Sequence, residues 1–327
     1  MRLGIAGCGR IAERGHVPAA LGAEGVTIAA FADPDPGRLR QCAELWKRQS
    51  GEESRGFAGA AELLRSEPVD LLVVAAPAAH HLALAEEAAT AGVPSLVEKP
   101  PAPDLATAER LAALDPRPYL AFNRRFIQGV ELQDRIPAEG WLELDLELRF
   151  RRDAWGAHEA HDEALLDAGI HLIDLACHLT QSAPIAVRQA DIKPERATLE
   201  LELTRARARI TCATDRSHRE AVAIRDRSGK TLARSNWGGI GTRLAPLFRR
   251  PDPLVLSLQR QLEAIEATGV SLMEPPHLLL QQGHPRRLPV ASGHDGATAM
   301  AIVEAAHRSA ELGGAEVTVA PVAEARA

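Results

Sequence analysis

The chain has 327 residues, of which 46% are hydrophobic and 25% are charged, and its formal net charge is -6. This length favours two domains with a core each, and the interspersed charges lack the basic footprint of a nucleic-acid-binding protein. The four cysteines have neither metal-knuckle nor C-x-x-C spacing. We therefore predict no metal, no disulfide framework and no membrane span, as in a cytoplasmic protein.

The first elements predict a dinucleotide-binding domain. A strand over 3–6 runs into Gly7-Cys8-Gly9-Arg10-Ile11-Ala12, a G-x-G-x-x-A turn that opens an apolar helix. The first glycine permits a tight turn, the second lets a pyrophosphate approach the backbone, and the small third residue lets helix and strand pack closely. A second strand over 26–32 ends at Asp33, whose carboxylate can bind a ribose. Alternatively, Asp33 begins a turn with Pro34.

Strands and helices then alternate up to residue 122. Helices are predicted over 38–48, 60–65, 81–91 and 105–114, strands over 69–75, 93–97 and 118–122, and a polar loop over 49–56. This alternation predicts a doubly wound parallel sheet, an α/β fold. Lys99, in Glu98-Lys99-Pro100, directly follows a strand and so lies at the carboxyl edge of the sheet, where such sheets bind ligands. Its position alone fits either a surface loop or a proton-transfer site.

The pattern changes after residue 122. Apolar and polar residues alternate over 141–151, as in a strand with one wet face. Further strands are predicted over 185–192, 197–203, 208–213, 221–226, 231–234 and 316–319, helices over 163–179, 254–268 and 295–312, and irregular segments over 243–253 and 274–289. These elements predict a second, α+β domain with a mostly antiparallel sheet.

The helix over 163–179 carries a possible acid/base group. Asp167, His171 and Asp174 are spaced i, i+4, i+7 and so share one helical face. A carboxylate one turn from an imidazole can fix its tautomer and raise its basicity. The alternatives are an exposed Asp/His face or a satisfied core histidine. Gly169 costs about 1 kcal/mol in mid-helix, which indicates that something approaches the backbone there.

These motifs, in this order, resemble the Gfo/Idh/MocA family of NAD(P)-dependent sugar and cyclitol oxidoreductases. The resemblance covers most of the chain. It rests on the glycine turn with Asp33, on Pro77 and His81 leading to Glu98-Lys99-Pro100, on the Phe-Asn-Arg-Arg-Phe segment at 122–126, and on Asp167-x-Gly169-x-His171. The sequence departs from many members at Ala76, where they have Thr, and over 162–165, where they have a Gly-rich run.

The resemblance implies a Rossmann domain over 1–122 and a substrate-binding and oligomerisation domain over 123–327. The outer face of the second sheet would mediate homodimers or homotetramers. Lys99, Asp167 and His171 would be catalytic, and the Lys99–Pro100 bond is often cis in this family. The implied cofactor-binding residues are Gly7, Gly9, Arg10, Ile11, Ala12, Asp33, Ala76, Pro77, His81, Glu98, Lys99, Asn123 and Arg124.

The implied reaction is hydride transfer between nicotinamide and a secondary carbinol of a small carbohydrate, cyclitol or derivative. NAD is favoured because a carboxylate at Asp33 repels a 2′-phosphate, although Arg38 is close enough in sequence to leave NADP open. One alternative is an NAD-dependent glycoside hydrolase of the same family. The other is a non-catalytic cofactor-binding regulator, which could lose Lys99 or His171 without penalty.

Overall fold

A computed structural model describes residues 1–155, 162–238, 252–267 and 290–322. None of the helices in these ranges is long and apolar enough to cross a membrane. The chain divides into two compact units. The first takes in Met1–Phe126 and Asp252–Gly296, and the second takes in Ile127–Pro251 and Ala297–Ala323.

The predicted elements that the structure describes occur in the predicted order. The structure adds three elements that the sequence did not predict, a strand at Arg55–Phe57, a helix at Gln128–Leu132 and a strand at Ala291–Ser292. The strands are β1 (Arg2–Ala6), β2 (Thr27–Ala32), β3 (Arg55–Phe57), β4 (Leu71–Val74), β5 (Ser95–Val97), β6 (Tyr119–Leu120), β7 (Leu142–Arg151), β8 (Pro184–Lys193), β9 (Arg196–Leu203), β10 (Ala206–Ala213), β11 (Asp215–Asp226), β12 (Thr231–Gly238), β13 (Ala291–Ser292) and β14 (Val317–Thr318). The helices are α1 (Ala12–His16 continuing as Val17–Gly22), α2 (Pro36–Ser50), α3 (Ala60–Ser66), α4 (His81–Thr90), α5 (Leu105–Ala112), α6 (Gln128–Leu132), α7 (Leu165–Gly169 continuing as Ile170–Thr180), α8 (Pro253–Ala267) and α9 (Gly293–Glu311). The first segments of α1 and α7 are π-helical.

The first unit is built on a seven-stranded sheet of order β13-β6-β5-β4-β1-β2-β3. Every neighbouring pair is parallel except β13 with β6. The predicted parallel α/β fold is thus confirmed. Because β1 lies between β2 and β4, the strand order reverses there, and ligands bind such sheets at the carboxyl ends of the strands beside that point.

Strand β3 is absent from the sequence-based prediction, which has a loop over 49–56. Its three residues pair in parallel with β2. A strand this short, with Gly56 at its centre, carries no alternation that a sequence could reveal. Pairing with an existing strand creates it, so only the tertiary structure shows it.

Helix α8 belongs to the first unit, whereas the expected division places all residues after 122 in the second domain. The reason is apolar packing. Leu258, Leu262 and Ile265 are buried in one core cluster with residues of β1 and α1. A Cβ on Gly15 would come within 2.8 Å of Leu258, so α8 lies directly against α1. A core residue can come from any distance along the chain, which is why sequence order misplaced this segment.

The second unit is built on a seven-stranded sheet of order β12-β11-β7-β10-β9-β8-β14. Only β7 and β10 pair in parallel. The mostly antiparallel sheet is therefore confirmed. Residues along β7, β9 and β10 alternate between buried and more exposed, so one face is apolar and the other carries charged side chains.

A buried arginine joins two distant segments of the first unit. Arg125, whose side chain is 6% exposed, lies with Nη2 3.0 Å from Oδ1 of Asp295 at the start of α9. The backbone N–H and hydroxyl of Ser292 donate to Oδ2 of the same carboxylate at 2.7 and 2.8 Å. Burial alone would raise the pKa of Asp295, but the Arg125 charge and the Ser292 donors outweigh it and lower the pKa to about 2.

We expect Asp295→Asn to make the free energy of unfolding depend less on pH at acidic pH. Because the folded pKa lies below the unfolded one, the ionised carboxylate stabilises the fold above about pH 4 and loses that effect as the pH falls towards about 2. The loss should be about 1 kcal/mol or less, since the Asp295 side chain is 36% exposed and water screens the pair. Urea unfolding across this range measures it. Parallel pH dependences for wild type and variant would contradict the prediction.

Candidate functional site

The turn after β1 requires glycine at its first position. Gly7 has φ +98°, and a Cβ there would lie 2.6 Å from the carbonyl oxygen of Ala75, at the end of β4. The Gly7 N–H donates to Ala32 O at 2.8 Å. Glycine therefore lets the turn pass between the ends of β2 and β4, at the predicted ligand edge of the sheet.

The rest of the turn is open on one side. A Cβ on Gly9 would meet no atom of the described residues within 4 Å, so they leave the backbone there accessible to a ligand. Arg10 and Ile11 are half-buried, and Ala12 is fully buried where α1 packs on the sheet. An open glycine beside a small buried residue is the arrangement that a pyrophosphate requires.

Asp33 is mostly buried and binds the glycine turn itself. The Cys8 N–H donates to its Oδ2 at 2.7 Å, and the Asp35 N–H donates to its Oδ1 at 2.8 Å. The bond from the Asp35 N–H makes the carboxylate a turn starter. The bond from the Cys8 N–H connects the residues that follow β1 and β2. Each carboxylate oxygen has a second lone pair, so these bonds leave acceptor capacity for a ribose hydroxyl.

His81 fastens two loops at the same edge. Its Nε2 lies 2.7 Å from Ala76 O and its Nδ1 lies 3.3 Å from Pro101 O, and the ring is 1% exposed. Burial lowers the pKa of His81 and outweighs these carbonyl contacts. A neutral ring donates from one nitrogen only, and the shorter contact indicates Nε2. Pro77 follows Ala76 in the chain and immediately precedes the 3₁₀ turn that leads into α4.

Lys99 lies two residues after the end of β5 and is half-buried. The Lys99–Pro100 bond is cis, as the resemblance implies. Before it, Glu98 is 7% exposed, and its N–H donates to Val74 O at 3.0 Å. Its Oε2 accepts the Lys99 N–H at 3.1 Å. The peptide that carries the lysine is therefore held by a buried carboxylate.

His16 is a site residue that the sequence analysis missed. It is fully buried in the π-helical segment of α1, and its Nε2 lies 2.8 Å from Oε1 of Glu98. Burial alone would raise the pKa of Glu98, but the His16 hydrogen bond and the charges of His16 and Lys99 outweigh it and hold that pKa below its usual value. The available signal was one histidine on the otherwise apolar buried face of α1.

Asn123 and Arg124 lie in a 3₁₀ turn, Asn123–Phe126, after β6. Asn123 is 5% exposed, and Nη1 of Arg124 donates to its Oδ1 at 3.4 Å. Both residues belong to the first unit, together with the glycine turn and Lys99. The direct contacts of these residues with a cofactor stay predictions.

In the second unit, the predicted acid/base group lies at the start of α7. His171 and Asp174 are buried, with 6% and 2% exposure, whereas Asp167 lies in the π-helical segment and is partly exposed. The buried apolar neighbours of α7 favour the core environment over an exposed Asp/His face. The orienting role of Asp167 stays a prediction.

Arg152 is the second residue that the sequence analysis missed. Its Nε and Nη2 donate to Oδ2 of Asp167 at 3.2 and 3.0 Å, and Nη2 also donates to Asp162 O. Both side chains are about one-fifth exposed, at 20% and 21%. The pairing holds the Asp167 carboxylate in place. Because it joins a 3₁₀ turn to a helix 15 residues later, no sequence spacing reveals it.

Gly169 is explained within the second unit. A Cβ there would lie 2.7 Å from Cδ1 of Leu165 and 3.1 Å from Sγ of Cys212 on β10. Something does approach the helix backbone, as its sequence indicates, and it is the neighbouring strand. The remaining sequence at 156–161, 239–251 and 268–289 lies outside the described residues. Those ranges hold two histidines before α7 and most of the predicted irregular segments.

Known proteins share this arrangement. Residues 1–117 match the sequence profile of GFO_IDH_MocA, an oxidoreductase family with an NAD-binding Rossmann fold. Residues 1–117 therefore correspond to the NAD-binding domain of the Gfo/Idh/MocA oxidoreductases. Its sequence is 28% identical over 342 residues to D-apiose dehydrogenase of Paraburkholderia graminis, which covers 94% of this chain and 87% of that protein.

Two further comparisons concern a sequence relative and a solved structure. YceM of Salmonella typhimurium is 30% identical over 184 residues, and the match spans little more than half of each chain, 55% of this one and 56% of YceM. The structure of myo-inositol dehydrogenase from Lactobacillus casei in complex with NAD(H) and myo-inositol superposes with a TM-score of 0.74. It covers 99% of this chain and 98% of that chain at 15% identity, which shows the shared fold.

The first unit fits NAD, the cofactor of this fold. The open face at Gly9, the tight turn at Gly7 and the buried carboxylate of Asp33 are the features that a dinucleotide needs. Arg38 is the residue whose nearness in sequence kept NADP as an alternative. It lies on the surface, with its Nε 3.7 Å from Oδ2 of Asp35. Among the described residues, no three His, Cys, Asp or Glu side chains come together as a metal site.

We expect Asp33→Ala to destabilise the protein without any cofactor present. The variant leaves the buried Cys8 N–H without its acceptor, which costs about 1–3 kcal/mol, and it should also weaken NAD binding. Asp33→Asn keeps one acceptor oxygen and should lose less. Urea unfolding of the cofactor-free protein and NAD titration by fluorescence measure the two effects. Unchanged stability in the Ala variant would show that the hydrogen bond from Cys8 to Asp33 does not stabilise the fold.

Proposed function

We propose that this protein transfers a hydride between NAD and a secondary carbinol of a sugar, a cyclitol or a derivative of one. The observation that carries the proposal is Lys99. It lies two residues after β5 at the ligand edge of an NAD-binding sheet, and the buried Glu98 carboxylate accepts its backbone N–H. Relatives named as dehydrogenases of apiose and inositol support this substrate class.

We assign the cofactor to the first unit and the substrate to the second. In the first unit, the glycine turn and Asp33 would hold the dinucleotide, and the loops of Ala76, Pro77 and Asn123 would complete its binding. NAD supplies the hydride acceptor or donor at nicotinamide C4. The expected location is the reducing cytoplasm, which the four free cysteines support.

We assign the proton chemistry to Lys99, Asp167 and His171. His171 takes the hydroxyl proton during oxidation and returns it during reduction, because imidazole exchanges protons near neutral pH. Asp167, held by Arg152, orients that imidazole. Lys99 polarises the reacting oxygen with its ammonium group and can share the proton.

We expect Lys99→Ala to lower kcat by about 10²–10⁴-fold, the usual contribution of a positioned acid or base. NAD binding should stay within a few-fold of wild type. The measurement is NADH absorbance with a panel of sugars, sugar phosphates, nucleotide sugars and cyclitols. Lys193→Ala is the matched control, since the Lys193 side chain on β8 is 68% exposed and far along the chain from the motifs.

The same panel separates the alternatives. Full turnover in Lys99→Ala would overturn the assignment. Release of free sugar from a glycoside without net NADH would indicate the glycoside hydrolase. NAD binding with no turnover on any substrate would indicate the cofactor-binding regulator. Accumulation of NADH together with an oxidised sugar or cyclitol supports the dehydrogenase.

We further propose that the chain forms a homodimer or homotetramer through the outer face of the second sheet. This face carries ion pairs between neighbouring strands, so it presents both positive and negative side chains. A second copy of the same face could meet them with complementary charges. The pairs are Arg225 with Asp145, Arg219 with Glu147, Arg209 with Glu200 and Arg188 with Glu202.

An interface of this composition should be sensitive to salt. We expect the assembly to weaken as ionic strength rises from about 0.05 M to about 1 M, because the Debye length shrinks from more than 10 Å to about 3 Å. Arg209→Glu should weaken it at low salt, whereas Arg38→Glu, on exposed α2, should not. Sedimentation velocity reads the mass directly. A monomer under every condition would contradict the proposal.

A further inference from the structure

A continuous set of contacts joins the helix after the glycine turn to Lys99. His16 is 0% exposed, and its Nε2 lies 2.8 Å from Oε1 of Glu98. The other carboxylate oxygen, Oε2, accepts the backbone N–H of Lys99 at 3.1 Å. All three residues belong to the first unit. The contacts therefore lie within one compact body, and β4 positions Glu98 through the 3.0 Å bond from the Glu98 N–H to Val74 O.

The Glu98 carboxylate needs His16 because it is buried. A buried charge is tolerated only with hydrogen-bond donors, and leaving one unmet is strongly unfavourable. His16 is a side-chain donor that reaches Oε1, while the Lys99 backbone occupies Oε2. Without the His16 donor, the carboxylate would turn towards another donor or towards water, and the Lys99 N–H would lose its fixed acceptor.

The local backbone is built to place His16 there. The segment Ala12–His16 is π-helical, and such turns often occur at functional sites because they redirect one side chain. The Nδ1 atom of His16 is buried and has no hydrogen-bond partner among the described residues. The contact with Glu98 is therefore the polar interaction that the described structure gives this ring.

We propose that His16 is a positioning residue for Lys99, acting through the Glu98 carboxylate. It fixes the orientation of Glu98, and Glu98 fixes the peptide that carries the lysine. The inference rests on the proposed function in one respect, that Lys99 acts on the substrate. Outer contacts of this kind are typically worth 10–100-fold when they orient a functional group.

The test compares two amides of different reach. His16→Gln keeps an N–H donor close to the position of Nε2, whereas His16→Asn is one methylene shorter and cannot reach Glu98. We expect kcat of the Asn variant to fall by about 10–100-fold, with KM and NAD affinity within about threefold. The Gln variant should stay within about threefold of wild type. A purely structural role would not separate the two variants in this way.

A second readout needs neither cofactor nor substrate. The rate at which an amine-reactive reagent modifies Lys99 can be followed by mass spectrometry, with the exposed Lys193 and Lys230 as internal references. We expect the Lys99 rate to change several-fold in His16→Asn and to match wild type in His16→Gln. Leu111→Ala, which removes a buried side chain of α5, controls for general destabilisation of the unit.

The outcomes are distinct. If both His16 variants behave like wild type, or if both change only as Leu111→Ala does, the positioning role is overturned. In a Lys99→Ala background, His16→Asn should lower kcat little further, and a full additional loss would also overturn it. If the wild type turns over no substrate, the proposed function fails. The labelling rates then still decide whether His16 positions Lys99.

Discussion

One buried carboxylate holds the ligand edge of the first sheet together. Glu98 at the end of β5 bonds α1 through His16, β4 through its own N–H, and the next peptide through its second oxygen. A charge in this environment is stable only while each contact is made. The carboxylate therefore fixes the helix after the glycine turn and the lysine loop relative to each other, which is what a site with pre-set geometry requires.

Asp33 and His81 are two further buried side chains that hold loops in place at the same edge of the sheet. Each ties a loop that lacks regular hydrogen bonding to a neighbouring strand end or helix. Side-chain bonds to backbone groups satisfy the polar atoms that loops would otherwise bury unpaired. A residue type that sequence analysis associates with the cofactor can thus also be part of the scaffold, and the two roles are compatible because carboxylate oxygens accept more than one bond.

The two faces of the sheet in the second unit differ in polarity. One face is apolar, whereas the other is a charged surface with ion pairs between neighbouring strands. At the start of α7, Arg152 occupies the carboxylate that the sequence assigns to orienting His171. Asp167 can do both only because an Arg–carboxylate bond leaves lone pairs on the other oxygen.

The sequence by itself determined most of the elements and their type. Uninterrupted apolar runs in β1, β2 and β4, the glycine turn and the alternation in β7 follow from local periodicity, so they can be read without knowing any contact. Motif spacing also predicted Lys99, Asp167 and His171 as catalytic residues, and this stays a prediction. The tertiary structure alone decided the short strand β3, the membership of α8 in the first unit, and the pairings of His16 with Glu98 and Arg152 with Asp167. Those features depend on groups 15 or more residues apart that meet only after folding, and no local pattern encodes such a meeting.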